Sequence, residues 1–201
     1  MDMRKCKITF IAHGATIHSE ESRFYDTENY PPLSDAGTHE IEKICEYLKK
    51  RGIKNDCIYA SPSLRCTQSA QYIAKLFKTN FTVIPELYAR KYGEWNGLTF
   101  SKILENFNSV KEYCLATPKD GESLQELNQR IGKIINELVE NNHGKRIIVV
   151  TTPEVIKSAI AMTLSIPIES QANILIKNGS ASQISYFTGW SSLIYSGYVP
   201  L

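Results

Sequence analysis

The residue best placed for chemistry in this sequence is His13, which follows a short apolar run. Residues Lys7 to Ala12 include isoleucine, threonine and phenylalanine, and this pattern predicts a buried β-strand. His13 and Gly14 come where the chain leaves the sheet, and ligand crevices of open α/β sheets form at that end of a strand. His13 is therefore a candidate for chemistry. The alternative is a histidine that only forms hydrogen bonds at a strand end, which is the commoner role of a lone histidine.

The elements that position His13 follow from hydrophobic periodicity. After a long polar and aromatic loop over residues 17–32, a helix is predicted to begin at Ser34 or Asp35 and to end near Gly52. A strand is predicted at Cys57–Ala60, a helix from Leu64 to Phe77 and a third strand at Phe81–Ile84.

The second half of the chain alternates in the same way. We predict a helix near Phe100 to Phe107, an irregular segment over 111–121, and a long amphipathic helix that the capping box of Ser123 and Glu126 opens. Residues 146–151 form the most continuous apolar run, which is typical of a central parallel strand. A helix with Pro153 in its first turn follows, and strands are predicted at 173–176, 183–187 and 190–198.

This alternation predicts a single α/β domain over residues 1–201. We expect a three-layer sandwich, with a mostly parallel central sheet and helices on both faces.

The amino-acid composition excludes several classes of function. The 201 residues are 42% hydrophobic and 22% charged with a net charge of +2, so neither a nucleic-acid surface nor an anionic-membrane surface is expected. The five cysteines lack C-x-x-C spacing, which favours reduced thiols over disulfides or a zinc site. No apolar run is long enough for a membrane span or a secretory segment, and we expect a cytoplasmic protein without a cofactor.

Six short motifs occur in order along the chain. They are Ala12-His13-Gly14 with Thr16, Pro32-Leu33-Ser34-Asp35-Ala36-Gly37, Ser61 to Ala70 with Arg65 at its centre, Gly93-Glu94-Trp95-Asn96-Gly97-Leu98, Gly121-Glu122-Ser123 and Asn178-Gly179-Ser180. This series resembles the histidine phosphatase superfamily, also called the phosphoglycerate mutase-like family, over nearly the whole chain. The resemblance implies the phosphoglycerate mutase-like fold.

The resemblance also implies roles for particular residues. In that family a histidine after the first strand attacks a phosphate ester and becomes a phosphohistidine. Two arginines and a second histidine hold the phosphoryl oxygens, and an acid protonates the leaving group. His13 matches the nucleophile and Arg65 matches the second arginine. Gly14, Thr16 and Ser19 are expected beside Arg65 in the ligand-binding site.

Three positions depart from the family pattern. Ala12 stands for the first arginine, Ala89 for the acid and Thr152 for the second histidine. Losing one charge-stabilising donor costs ~10²–10³ in rate, and losing a general acid costs ~10²–10⁴. Multiplied together, these losses would lower the catalytic rate by roughly 10⁶–10¹⁰. This is an upper limit, because the effects of residues that act as a unit are not additive.

Other residues are weaker candidates for the missing roles. Glu94 is a candidate substitute acid, and Arg90, Lys91, Lys157 and His18 are candidate anion partners. Each of them is more simply interpreted as a surface or loop residue without a catalytic role.

We therefore hypothesise a pseudoenzyme that keeps the fold but has lost ordinary phosphatase or mutase catalysis. It would bind a small anionic or phosphorylated ligand through His13 and Arg65, or act as an interaction module. One alternative is an active phosphomonoesterase in which His13 accepts the phosphoryl group and Glu94 assists. The other is a crevice adapted to a different reaction. The sequence leaves homo-oligomer formation open.

Overall fold

The computed structural model describes residues 4–25 and 31–200, and its centre is a six-stranded sheet. The strands are β1 (Arg4–Ala12), β2 (Cys57–Ala60), β3 (Thr82–Val83), β4 (Lys145–Thr151), β5 (Ala181–Phe187) and β6 (Ser191–Tyr198). Their order across the sheet is β3-β2-β4-β1-β5-β6. Strands β1 to β4 pair in parallel, whereas β5 and β6 pair antiparallel. The prediction of a mostly parallel sheet is confirmed.

Helices connect these strands. In the described residues they are α1 (Ile17–Glu20), α2 (Asp35–Lys50), α3 (Leu64–Phe77), α4 (Phe100–Leu104), α5 (Val110–Leu115), α6 (Leu124–Asn141) and α7 (Pro153–Thr163). The Ser34 hydroxyl accepts a hydrogen bond from the Gly37 N–H and so caps α2. Ser123 and Glu126 form the predicted capping box of α6. Both helix starts therefore follow from local sequence.

Alternating side chains of the central strands enter two different cores. Ile147 and Val149 of β4 pack in the core that includes the buried faces of α6 and α7. Ile148 and Val150 pack in the second core, with residues of α2 and α3. Because both faces of the sheet are covered, the central strands have continuous apolar sequences, and the three-layer prediction is confirmed.

Three segments after residue 99 differ from the predictions. The irregular segment predicted over 111–121 begins with α5, where the Ser109 hydroxyl accepts from the Glu112 N–H and Tyr113 and Cys114 are buried. The strand predicted at 173–176 is absent from the described chain, and a 3-10 turn, Ile168–Asn173, precedes it. The helix α4 ends at Leu104 instead of Phe107. Short apolar runs fit either a helix or a strand, so packing decides among them.

The loop after β1 contains the short helix α1, where a segment without period was predicted. Residues 26–30 of the same predicted loop lie outside the described residues. Among the residues that the structure describes, none of the helices has the length and apolar character needed to cross a bilayer.

Candidate active site

The candidate site lies at the carboxyl ends of β1, β2 and β4. The last residue of β1, Ala12, is paired with Thr151 of β4, and the His13 N–H donates to the Thr151 carbonyl at 3.0 Å. Helix α3 begins soon after β2, with Arg65 in its first turn. The sheet register therefore brings His13, Arg65 and the start of α7 to one edge.

The His13 side chain is held as a neutral imidazole. Its Nδ1 lies 2.7 Å from the Gly14 carbonyl, which can only accept, so Nδ1 carries the proton. Its Nε2 then accepts from the Arg65 Nε at 3.2 Å. Burial, reinforced by the Arg65 charge and opposed by the bond to Gly14, lowers the pKa of His13 to about 3. At neutral pH Nε2 is thus unprotonated, and its lone pair accepts from Arg65 until a ligand displaces that bond.

Two glycines allow the loop after β1 to pack against α2. A Cβ on Gly14 would collide with the backbone of Gly37, and a Cβ on Gly37 would collide with the backbone of Ala15. This close approach fixes the carbonyl that orients His13. The same close approach explains why a glycine, Gly37, lies three residues after Ser34.

The turn at Asn178-Gly179-Ser180 closes the other side of His13. The Gly179 N–H donates to the His13 carbonyl at 3.0 Å, and the Ala12 N–H donates to the Ser180 carbonyl at 2.9 Å. Gly179 has a φ of +57°, which favours glycine, and its Cα lies against Glu40. The backbone of His13 is therefore bonded on both sides.

Arg65 is almost completely buried and keeps hydrogen-bonding capacity. Its Nε bonds His13, and its Nη1 has no hydrogen-bond partner among the described residues. Its Cζ lies 4.6 Å from the centroid of the Tyr25 ring, and the Tyr25 hydroxyl is hydrogen-bonded to Thr16 Oγ1. An unpaired buried guanidinium nitrogen is costly, so an anionic ligand oxygen at this position would satisfy it.

A cavity of about 650 Å³ opens above His13 and Arg65. We call it the active-site cavity; the side chains that define it are His13, Ser19, Tyr25, Glu40, Arg65, Ala89, Tyr92, Thr152, Glu154 and Lys177. Its volume falls in the range that accommodates small organic ligands. His13, Arg65 and Ser19, which the sequence predicts in the site, meet in this cavity.

The three positions that depart from the family pattern lie close to His13 but carry no charge. Ala12 is fully buried, and Ala89 and Thr152 line the active-site cavity with 3% and 4% exposure. The hydroxyls of Thr151 and Thr152 are buried without hydrogen-bond partners in the described structure. The region around His13 therefore offers small side chains and hydroxyls where the family pattern expects an arginine, an acid and a histidine.

The other predicted ligand-binding residues support the loop. Gly14 and Thr16 are buried, and the Gly14 N–H donates to the Ser69 hydroxyl at 3.3 Å. The Thr16 side chain caps α1, and Ser19 completes that capping box. Thr16 therefore acts on the shape of the site through Ser19 and Tyr25.

The candidate substitutes lie in different surroundings. Glu94 is exposed and outside the active-site cavity, and its carboxylate accepts from the Lys119 N–H at 3.2 Å. Lys91 is also exposed. The ring of His18 lies 5.0 Å from that of Tyr25, between centroids. Glu94 is therefore not among the described residues that line the cavity around His13.

Arg90 is fully buried and is not among the described residues that line that cavity. Its Nε donates to the Glu122 carbonyl at 2.8 Å, and its Cζ lies 5.7 Å from the Tyr92 ring centroid and 5.5 Å from that of Trp95. Arg130 forms a bidentate bond to the Glu122 carboxylate and also binds the carbonyl of Tyr88. These arginines hold the loop that carries Ala89 and Gly93.

Sequence reasoning missed two carboxylates of the active-site cavity, Glu40 and Glu154. Glu154 comes two residues after the family position at Thr152, and its place at a strand end followed by a helix was the available signal. Glu40 lies on α2 and reaches the site only because Gly37 lets that helix approach β1. In residues 4–25 and 31–200 no group of three or more His, Cys, Asp or Glu side chains is arranged to hold a metal ion.

The fold brings His13 and Arg65 into contact at one edge of the sheet, and comparison with known proteins identifies the family. A family model described as histidine phosphatase superfamily (branch 1) matches residues 8–194. The chain belongs to the histidine phosphatase superfamily.

Sequence relatives span several activities. The chain is 24% identical over 183 residues to the adenosylcobalamin/alpha-ribazole phosphatase of Escherichia coli, covering 89% of each chain. It is 30% identical over 168 residues to phosphoglycerate mutase-like protein 4 of Arabidopsis thaliana, covering 78% of this chain and 70% of the relative. A bifunctional protein of Mycobacterium tuberculosis is 25% identical over 162 residues, which are 79% of this chain but only 44% of that relative's length.

Solved structures show the same fold. A phosphoserine phosphatase from Entamoeba histolytica, in complex with 3-phosphoglyceric acid, has a TM-score of 0.85 at 20% identity and covers 96% of this chain and 98% of its own. The alpha-ribazole phosphatase from Shigella flexneri has a TM-score of 0.80 at 21% identity, with 96% of each chain covered. At this identity the likeness establishes the fold alone, which is phosphoglycerate mutase-like.

Proposed function

We propose that this protein binds a small anionic ligand between His13 and Arg65 and has lost efficient phosphatase and mutase turnover. The observation that carries the proposal is the contrast inside one cavity. The neutral histidine and the buried arginine are in contact at 3.2 Å, whereas Ala12, Ala89 and Thr152 around them are buried and uncharged.

Anion binding is supported by the donors that the site presents. Arg65 has an unpaired Nη1, and the Thr152 hydroxyl is buried without a partner among the described residues. Hydrogen bonds from a charged donor to an anion are the strong ones, so a ligand oxygen at Arg65 gains most of its binding there. An anionic group placed there would displace or share the Arg65 bond to His13.

Loss of turnover is supported by the missing charges. Phosphoryl transfer depends on positive donors around the transferred group and on a proton for the leaving oxygen. The described cavity supplies Arg65 for the first task and no acid at the Ala89 position for the second. Each missing donor costs ~10²–10³ in rate.

A second candidate, a slow phosphomonoesterase, is favoured by the state of His13. Its Nε2 lone pair would attack the phosphorus, the P–O bond to the leaving group would break, and water would protonate the departing alkoxide. Water would then hydrolyse the phosphohistidine to inorganic phosphate. The bond to Gly14 prepares His13 for this step, so the test must separate slow catalysis from none.

Turnover of p-nitrophenyl phosphate and of 3-phosphoglycerate, measured beside His13→Ala, distinguishes the two candidates. We expect the same low rate for both proteins, with the exposed His143→Ala as the matched control. Phosphate release well above background that disappears only in His13→Ala would establish the phosphomonoesterase and overturn the loss of catalysis.

Calorimetric titration with inorganic phosphate tests the binding half of the proposal. We expect Arg65→Gln to weaken phosphate binding by about 10-fold or more, because a charged hydrogen bond is lost. The exposed Arg51→Gln should leave the affinity unchanged. Equal affinity in the wild type and Arg65→Gln would place anion binding elsewhere.

A further inference from the structure

Glu154 is one of the charged groups on the wall of the active-site cavity. We propose that the ligand carries a cationic group besides its anionic one, so that Glu154 binds an ammonium while Arg65 binds the anion. This inference rests on the proposed function, because it assigns the anionic end to Arg65. The ligand class is a small zwitterion such as an amino-alkyl phosphate, phosphonate or carboxylate.

Glu154 is accessible from the active-site cavity. It lies in the first turn of α7, where the helix dipole stabilises negative charge, and 19% of its side chain is exposed. Lys157 donates to its Oε1 at 3.1 Å. In the described chain no other hydrogen bond reaches the carboxylate, so its Oε2 is left for a donor from the ligand.

The other charged groups of the cavity are already engaged or exposed. Glu40 Oε2 accepts from the Ala15 N–H at 2.8 Å, so that carboxylate supports the loop of His13. Arg23 donates to Glu21 and to the Gly97 carbonyl, each at 2.8 Å. Lys177 is exposed at the rim. Among the described residues, Arg65 Nη1 and Glu154 Oε2 thus keep hydrogen-bonding capacity in the cavity, and Glu40 Oε1 keeps it as well. A variant of Glu154 tells the two carboxylates apart.

The wall of the cavity carries charges of both signs, which suits a ligand that carries both. Ala12 replaces the family's first arginine and Thr152 replaces its second histidine. Glu154 adds a negative charge to the same cavity. A phosphate dianion would bind Arg65 and meet the Glu154 carboxylate, of which only Oε1 is paired within the described chain, with Lys157. A ligand with an ammonium group converts that repulsion into an ion pair.

Pairs of phosphonates of equal shape test the inference without being hydrolysed. The terminal ammonium of 2-aminoethylphosphonate is replaced by a methyl group in n-propylphosphonate, and 3-aminopropylphosphonate corresponds to n-butylphosphonate in the same way. In calorimetric titrations of the wild-type chain we expect the ammonium member of at least one pair to bind about 10-fold or more tightly.

Glu154→Gln keeps the shape of the side chain and removes its charge. We expect this variant to lose the preference for the ammonium member and to bind the alkylphosphonates as well as the wild type or better. The control Glu94→Gln, which changes an exposed glutamate outside the cavity, should keep the preference. Thermal unfolding by circular dichroism confirms that each variant is folded.

The outcomes separate the two proposals. Equal binding within each pair, or an equal loss of both members in Glu154→Gln, would overturn the ammonium site and leave anion binding intact. Absence of binding for all four phosphonates and for inorganic phosphate would overturn the proposed function itself.

Discussion

The buried pair at the base of the active-site cavity and the positions that surround it are built in different ways. His13 is oriented by backbone groups, through the Gly14 carbonyl and the turn at Gly179, and Arg65 bonds to its ring. Ala12 and Ala89 have no polar side-chain group, and the Thr152 hydroxyl makes no hydrogen bond in the described structure. The comparison teaches that the contact between His13 and Arg65 is kept although none of the three surrounding positions carries a charged side chain.

The prediction with the largest expected effect restores two of the missing side-chain groups. Ala89→Glu combined with Thr152→His should raise phosphatase activity by about 10² or more, because an acid and a positive donor return to the cavity. Initial rates with p-nitrophenyl phosphate measure the gain. The same pair of changes in a His13→Ala background should stay at background. A folded double variant without any gain would show that the defect lies elsewhere in the site.

Gly37→Ala tests the close packing of α2 against the loop that follows β1. The new Cβ would collide with the backbone of Ala15, and we expect a loss of about 3 kcal/mol in the free energy of unfolding. Urea denaturation measures it. Gly132→Ala is the matched control, because its Cβ meets only the flexible Met162 side chain and alanine favours the helix. A Gly37→Ala variant as stable as the control would refute the close-packing argument.

The buried state of His13 predicts a pH dependence of stability. Its pKa is about 3 in the folded chain against an ordinary value of 6.5, so the unfolded chain binds a proton first as the pH falls. The stabilisation is complete above the ordinary pKa and is lost progressively below it. Between about pH 7 and about pH 5 the loss amounts to about 2 kcal/mol.

Urea denaturation of the wild type and His13→Gln across this pH range isolates the contribution. The difference between the two curves should shrink toward acid pH, whereas the exposed His143→Gln should follow the wild type. Parallel curves for the wild type and His13→Gln would contradict a neutral buried imidazole.

The smallest expected effect concerns Thr152. Its hydroxyl is buried without a partner in the described part of the chain, so Thr152→Val should raise the free energy of unfolding by up to about 1 kcal/mol. Affinity for inorganic phosphate should fall several-fold if the hydroxyl serves the ligand. The exposed Thr117→Val is the control. A destabilised Thr152→Val variant would show that the hydroxyl has a structural partner.

Much of the fold was predictable because strong local signals agree with it. The starts of α2 and α6 follow from Ser34 and from the capping box at Ser123, and the apolar run of β4 indicates a strand covered on both faces. The segment around Tyr113 was predicted wrongly as irregular. This helix is short, so its sequence pattern is weak, and its buried face is set by the packing of Tyr113 against Trp95 and Phe107.

The candidate site was predictable in part. The motif series identifies His13, Arg65 and the replaced positions by their order alone. The cavity carboxylates Glu40 and Glu154 escaped prediction because they lie on two helices that are distant in sequence. Their approach depends on the sheet register and on glycine contacts, which no single segment encodes.

The sequence by itself determined the family, the strand that ends at His13 and the absence of charge at three family positions, because these depend on residue identity and order. The tertiary structure decided the chemical state of the site. Burial and the Arg65 contact hold His13 neutral, and the meeting of α7 with β1 places Glu154 in the same cavity as Arg65. Protonation and charge complementarity are set by distance and burial, so only the folded chain defines them.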